Sequence, residues 1–326
     1  MSKGKRFGSI LSPYITGLLN EKRSLGFNYD TEEMTLARFD QYCTQNGLET
    51  IHVTKQFLDG WCRKTDTEGL SSQRRRIIII RQLMLYMISI GISVHLPKVD
   101  IPKETILPHI FSQEELQAFF HEADSYSPVT NQPAHMRLAN EYRVLFRLIY
   151  CCGLRNTECC SIAKDQVDLD NGILTILDAK GNKDRLVYMA DDVLALCREY
   201  HIYLCKVMSR KPRWFFPAKN PEEPLRNTTV DRAFNRLWSK TRYCSSCNNK
   251  PTVHDLRFTF VTDRIDLWSA QGLSLDTMMP YLQKYLGHSN LQDTYYYYHP
   301  TRQLYETIRI KDRTADAVIP EVPDHD

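Results

Sequence analysis

His288-Ser289-Asn290-Leu291-Gln292-Asp293-Thr294-Tyr295-Tyr296-Tyr297-Tyr298-His299 is the stretch around which this chain is organised. It follows Leu286-Gly287, so a glycine able to take a left-handed conformation ends one helix and leaves a histidine at the turn. The four tyrosines fall on the next helical segment, where neighbouring residues point in different directions and each phenol meets its own surroundings. A phenol is a weak nucleophile, with an ordinary pKa of about 10, so a catalytic tyrosine needs cations or a base beside it. Those groups must come from elsewhere in the chain.

Three upstream motifs supply them in order: Gly153-Leu154-Arg155-Asn156-Thr157-Glu158, then Ala179-Lys180-Gly181-Asn182-Lys183-Asp184-Arg185, then His254-Asp255-Leu256-Arg257. Arg155 and Arg257 can each present paired donors to the non-bridging oxygens of a phosphodiester, which a lysine's point charge cannot imitate. His254 and Arg257 are three residues apart and share a helix face. Lys180, beside Gly181 at a hairpin turn, can reach a bound phosphate and protonate a leaving oxygen; Lys183 and Arg185 compete for that role.

Together these motifs resemble the tyrosine recombinase family of phage integrases and Xer-type site-specific recombinases, over about Phe111 to Arg313. The resemblance implies Arg155, Lys180, His254, Arg257 and His288 as catalytic groups and Glu158 as a buttress. The nucleophile it implies is Tyr297, nine residues after His288. The reaction implied is DNA strand transesterification through a 3′-phosphotyrosine, with no cofactor. The partners implied are double-stranded DNA and three further copies of the chain in a tetramer on that DNA, with room for accessory recombination proteins. An integrase of a prokaryotic mobile element is the expected setting. A type IB topoisomerase shares the site chemistry, and a DNA-binding regulator on the same fold is the non-catalytic alternative. Two features depart from the family pattern: Phe258 stands where many members have a histidine, and Cys244-Ser245-Ser246-Cys247 is an extra element. Cys244 and Cys247 form half a zinc site but lack an adjacent second ligand pair, so a plain polar loop is expected there.

Composition fits a soluble globular chain. With 326 residues two domains are expected, each able to bury its own core. The net charge of +3 becomes +7 on the body once Asp316, Glu321, Asp324 and Asp326 of the C-terminal tail are set aside, a balance compatible with phosphate binding. Ten cysteines, without a secretory leader or a membrane-length apolar run, point to reduced thiols in the cytoplasm. Cys151, Cys152, Cys159 and Cys160 read as small buried hydrophobes.

The expected fold is mostly α: an N-terminal helical, SAM-like core-binding bundle over residues 1–104, then a mostly α catalytic domain with a small antiparallel sheet over 105–326. In the bundle, Ser12-Pro13 should open a helix with Ile15, Leu18 and Leu19 inside, and Met34, Phe39, Tyr42 and Cys43 should mark a second. Thr54 should cap a third, and Ser71-Ser72 a fourth that runs to about Gly91. That places Arg74, Arg75 and Arg76 on the first turn of the fourth helix as DNA-contact candidates, with a solvated charged face as the alternative. Pro97, Pro102 and Pro108 punctuate a linker. Beyond it, a capping box at Ser112–Glu115, helices near 138–150, 191–207, 229–240, 253–268, 275–286 and 291–298, and strands at 173–177 and 186–188 are expected.

Overall fold

Apolar residues at helical spacing build four helices in the first of two compact units, Met1–Ile106 and Leu107–Asp326, of a computed structural model. The structure describes residues 7–102, 107–128, 130–179, 183–208, 212–245, 247, 249–288 and 290–295. In the first unit α1 (Ser12–Ser24), α2 (Asp30–Gln45), α3 (Lys55–Cys62) and α4 (Leu70–Ser89) enclose a core that includes Leu18, Leu36, Phe39, Trp61, Ile80 and Met84. Thr54 caps α3 by accepting the Phe57 N–H, as expected.

Three local expectations fail here. Ser12 does not cap α1: Leu11 is the cap residue, and the approach is held instead by the buried Asp40 carboxylate, which accepts the Gly8 and Ser9 N–H groups at 2.7 and 3.0 Å. Met34 is half exposed, because the inward stripe of α2 runs through Leu36, Phe39, Asp40 and Cys43. Helix α4 starts at Leu70 after an extended Gly69, and the Gln73 amide donates to the Cys62 carbonyl at 2.8 Å. Ser71 and Ser72 therefore lie within the helix, and Arg74, Arg75 and Arg76 occupy its second turn.

The second unit opens with α5 (Gln113–Asp124), whose capping box is formed: Ser112 Oγ accepts the Glu115 N–H and Glu115 accepts the Ser112 N–H. Helix α6 (Pro133–Cys151) begins five residues earlier than the apolar spacing suggests, since proline suits the first helical turn. A short α7 (Asn156–Cys160) leads to the sheet. Its strands β1 (Val167–Asp168), β2 (Ile173–Ala179) and β3 (Lys183–Tyr188) are antiparallel in the order β1-β2-β3, with Ile176 opposite Arg185. Along β3 the alternation turns Arg185 and Val187 inward and Leu186 and Tyr188 out.

Helices α8 (Asp191–Val207), α9 (Asn227–Trp238), α10 (Val253–Ala270), α11 (Leu275–Leu286) and α12 (Leu291–Tyr295) complete the described part. Phe119, Phe146, Phe234 and Trp238 anchor the main core, which takes in Cys152, Cys159 and Cys160; Cys151 is half-buried against it. A second cluster joins Phe260, Val261 and Leu286 between α10 and α11. Among the described residues no helix is long and apolar enough to cross a membrane.

Candidate active site

Gly153 ends α6 in the left-handed conformation (φ +60°), and a Cβ there would stand 2.5 Å from the Phe260 ring. Only glycine brings this backbone so close to α10. The carbonyl of Gly153 then accepts Arg257 Nη1 at 2.6 Å. Two residues on, Arg155 takes an extended conformation before α7. Its N–H donates to Glu158 Oε2 at 2.9 Å and its Nη1 to Oε1 at 2.5 Å.

Glu158 is buried at the centre of a guanidinium cluster. Arg185 of β3 grips both of its oxygens, at 3.1 and 2.8 Å, and donates through Nε to the Tyr285 carbonyl at 2.8 Å. Arg257 Nη1 stands 3.8 Å away. Burial alone would push the carboxyl up, but Arg185, the Arg155 N–H and Arg257 outweigh it and hold the group down at about 2. Three guanidiniums around one carboxylate leave a surplus of positive charge, the electrostatic requirement of a site for a dianionic phosphorane-like transition state. Arg155 reaches solvent most, with its side chain 18% exposed against 6% for Arg185 and none for Arg257.

Helix α11 stops where Gly287 turns left-handed (φ +67°), and the His288 N–H reaches back to the Gln283 carbonyl at 3.0 Å. The turn buries the His288 ring. Arg257 Nη2 donates to Leu286 O at 2.9 Å and to His288 Nε2 at 3.0 Å, so Nε2 accepts and Nδ1 carries the proton toward Thr294 Oγ1 at 2.8 Å. Desolvation, then the charges of Arg257, Arg155 and Arg185, lower His288 to about 3. His254 is depressed to about 4 by desolvation and by Arg257 and Arg155. Its ring meets solvent, which relieves part of that desolvation, so its neutrality is less firmly imposed than that of His288.

The fold thus brings together five residues singled out from the sequence: Arg155, Glu158, His254, Arg257 and His288. Lys180 and Tyr297 lie outside the described residues. Arg257 commits one Nη1 hydrogen to the Gly153 carbonyl and Nη2 to the Leu286 carbonyl and His288 Nε2, so its guanidinium is anchored to backbone and ring within the site. Arg185 is no proton donor in waiting, since its whole guanidinium is engaged. It is instead a positioning residue that sequence reasoning missed, although the inward phase of β3 was a legible signal. Thr294, the His288 partner, had no such signal. An open cavity of about 910 Å³ lies beside the cluster, lined by Arg185 and His288 together with Thr175, Pro280 and Tyr281.

The basic run of α4 separates into different roles. Arg76 is an internal strut: it stacks on Trp61 at 4.9 Å from the ring centroid, donates to Glu68 at 2.7 and 3.0 Å, and donates to the Trp61 and Arg63 carbonyls. Arg74 is half-buried, and Arg75 is exposed with a loose contact to Glu32 at 3.3 Å. Arg75 lines a polar groove of about 620 Å³ with Arg38, Arg63, Thr31, Thr35 and Ser72.

Residues 110–303 match the phage integrase family. The chain is 27% identical to the tyrosine recombinase XerC of Bacillus subtilis over 259 residues, covering 78% of this chain and 76% of that protein. It is 26% identical to XerC of Lacticaseibacillus casei over 278 residues, covering 82% and 85%. Among solved structures, XerH site-specific recombinase in a post-cleavage complex with its palindromic difH substrate shares the fold, with a TM-score of 0.60 at 19% identity over 94% of this chain and 90% of that one. The Tn1549 transposon integrase with transposon right end DNA aligns with a TM-score of 0.59 at 16% identity over 91% and 98%. A family match over more than half the chain, on a fold that gathers two arginines, a glutamate and two histidines in the expected order, shows that this chain belongs to the phage integrase family and is a site-specific tyrosine recombinase.

Proposed function

We propose that the chain cuts and rejoins double-stranded DNA with Tyr297 as nucleophile, acting as a homo-tetramer assembled on DNA and serving a prokaryotic mobile element. The buried Glu158 cluster carries this reading: it holds Arg155 on its solvent-facing side and leaves an excess of positive charge around Arg257 and His288. The phenolate oxygen of Tyr297 attacks the scissile phosphorus, the bond from phosphorus to the 5′ oxygen breaks, and Lys180 gives that oxygen its proton. A 5′ hydroxyl of another strand then attacks the phosphotyrosine, restoring the diester and releasing the phenol. Arg155 and Arg257 stabilise the charge that grows on the non-bridging oxygens, while Glu158 and Arg185 keep both guanidiniums aimed. His254, neutral and open to solvent, donates to or accepts from the phosphate and the nucleophile without adding charge, while the neutral His288 ring, bonded on both nitrogens, holds Arg257 Nη2 in place.

Exchange between two duplexes needs four strand cleavages and each chain supplies one nucleophile, which supports the tetramer. Solved relatives of this fold stand on difH and on transposon end DNA, which supports DNA as partner and the mobile-element setting. The groove of Arg38, Arg63 and Arg75 is the phosphate-contacting face of the first unit, replacing the fuller Arg74–Arg76 set. The test is recovery of covalently bound DNA from the native host, followed by peptide mapping. The link is expected at Tyr297, and Tyr297→Phe should capture no DNA; a link at Tyr298, or capture by that variant, overturns the assignment.

A further inference from the structure

The loop entering α10 holds Cys244-Ser245-Ser246-Cys247, an element that strand exchange leaves unused. In the fold its second thiol meets ligand-type groups from the start of the second unit. His109 Nε2 lies 3.1 Å from Glu115 Oε2, and Cys247 Sγ lies 3.9 Å from Glu115 Oε1. The ligating atoms of all three are within 4.8 Å of one another. Donors at ~2.0–2.3 Å around a tetrahedral zinc ion stand about 3.3–3.8 Å apart, so only a small closing movement separates this corner from a coordination shell.

The corner is also held in shape. Glu115 Oε2 accepts the Ser112 N–H at 2.8 Å, which fixes the carboxylate plane. The His109 ring packs edge-on against Phe111 and Trp238, with centroids 4.7 and 5.9 Å away. All three side chains are half-buried, partly shielded from water yet reachable by an ion. Cys244 is exposed one turn before Cys247, at the two-residue interval that zinc-binding turns use.

We propose that this corner is a structural zinc site, with His109, Glu115 and Cys247 as ligands and Cys244 turning inward as the fourth. Two thiols, an imidazole and a carboxylate suit zinc rather than a hard cation such as magnesium or calcium, which prefers oxygen donors throughout. On binding, each thiol gives its proton to solvent, so one Zn²⁺ displaces two protons and no redox partner is involved. The ion joins residues 109–115 to the loop that leads into α10, the helix of His254 and Arg257. That junction already carries the bond from the Phe111 N–H to Thr259 Oγ1 at 3.0 Å.

The experiment uses the full-length protein, purified without chelator or metal resin, with zinc content measured after dialysis and cobalt(II) then exchanged in. One zinc per chain is expected, and the cobalt form should show thiolate-to-cobalt charge transfer with tetrahedral d–d bands. Cys247→Ser and Cys244→Ser should each weaken zinc binding by more than the ~10-fold typical of losing an outer partner. Cys205→Ser, which alters an exposed thiol elsewhere, should leave binding unchanged. A chelator should lower the Tm of the wild type and leave that of Cys247→Ser unmoved. Failure to retain zinc, absence of the cobalt bands, or undiminished binding by Cys247→Ser overturns the site. Undiminished binding by Cys244→Ser overturns the assignment of the fourth ligand.

Discussion

Replacing Glu158 with glutamine removes one charge and almost no volume, and so isolates what the carboxylate does for its three arginines. The folded protein holds this carboxyl at about 2 against an ordinary 4.5, a gap that corresponds to about 3 kcal/mol of stability at neutral pH. The sign is that of a depressed acid: the contribution is complete above about 4.5 and drains away as pH falls toward 2. The variant loses this, and it also faces Arg185 with an amide NH₂ where a second acceptor stood. For a unit of this size each kcal/mol moves Tm by ~2–4 °C, so a fall of about 6–12 °C is expected. Urea denaturation of both proteins at pH 7, 5, 4 and 3 gives the stability difference directly. It should be about 3 kcal/mol at pH 7 and 5 and shrink by pH 3. A difference below 1 kcal/mol at pH 7, or one that stays constant down to pH 3, would refute the claim that an ionised Glu158 holds the cluster together.

Other perturbations separate the remaining roles. Arg155→Lys, at the exposed edge of the cluster, should slow cleavage by about 2–4 kcal/mol in the barrier while DNA affinity changes little; equal losses in both would make it a clamp residue. His288 is depressed to about 3 from 6.5, so the unfolded chain takes up its proton first and the fold should lose stability as pH falls from about 6.5 toward 3. His288→Asn should flatten that part of the pH–stability curve, and an unchanged curve would count against a buried neutral imidazole. Arg75→Ala should reduce the salt slope of DNA binding by about one, whereas Arg76→Ala should leave the slope alone and destabilise the first unit by about 2–3 kcal/mol. Truncation after Arg313 removes the acidic tail and its apolar Val318, Ile319 and Val322. Weaker assembly on DNA or deregulated exchange, read by sedimentation and strand-exchange assays, is expected if the tail docks on a neighbouring copy.

Much of the site was legible because its signals are local. Gly153 and Gly287 mark left-handed turns that glycine takes at the least cost, and the arginine and histidine that follow them inherit fixed positions. The spacing of His254 and Arg257 likewise needs only helical geometry. What could not be read depends on contacts between distant segments. Nothing in the local pattern around Arg76 says that Trp61 and Glu68 will claim it, and nothing near Ser12 says that Asp40 will do the work of a cap. Arg257 falls between these cases. Its position was plain, but the two carbonyls that occupy it belong to residues 104 and 29 positions away.

Those separations bear on when the protein becomes dangerous to DNA. Arg185 joins Glu158 across 27 residues and Tyr285 across 100, while Arg257 closes a loop of 104 back to Gly153. Contacts of such long range form late, after the loop-closure entropy has been met. A ribosome adding ~5–20 residues per second exposes Arg155 several seconds or more before α11 and the tyrosine run emerge. An incomplete chain can therefore present basic surface to nucleic acid without owning an aimed guanidinium pair. On the proposed assignment of Tyr297 as nucleophile, competence to break a strand arrives only when the tyrosine run has been made, and the ability to reseal it arrives at the same moment.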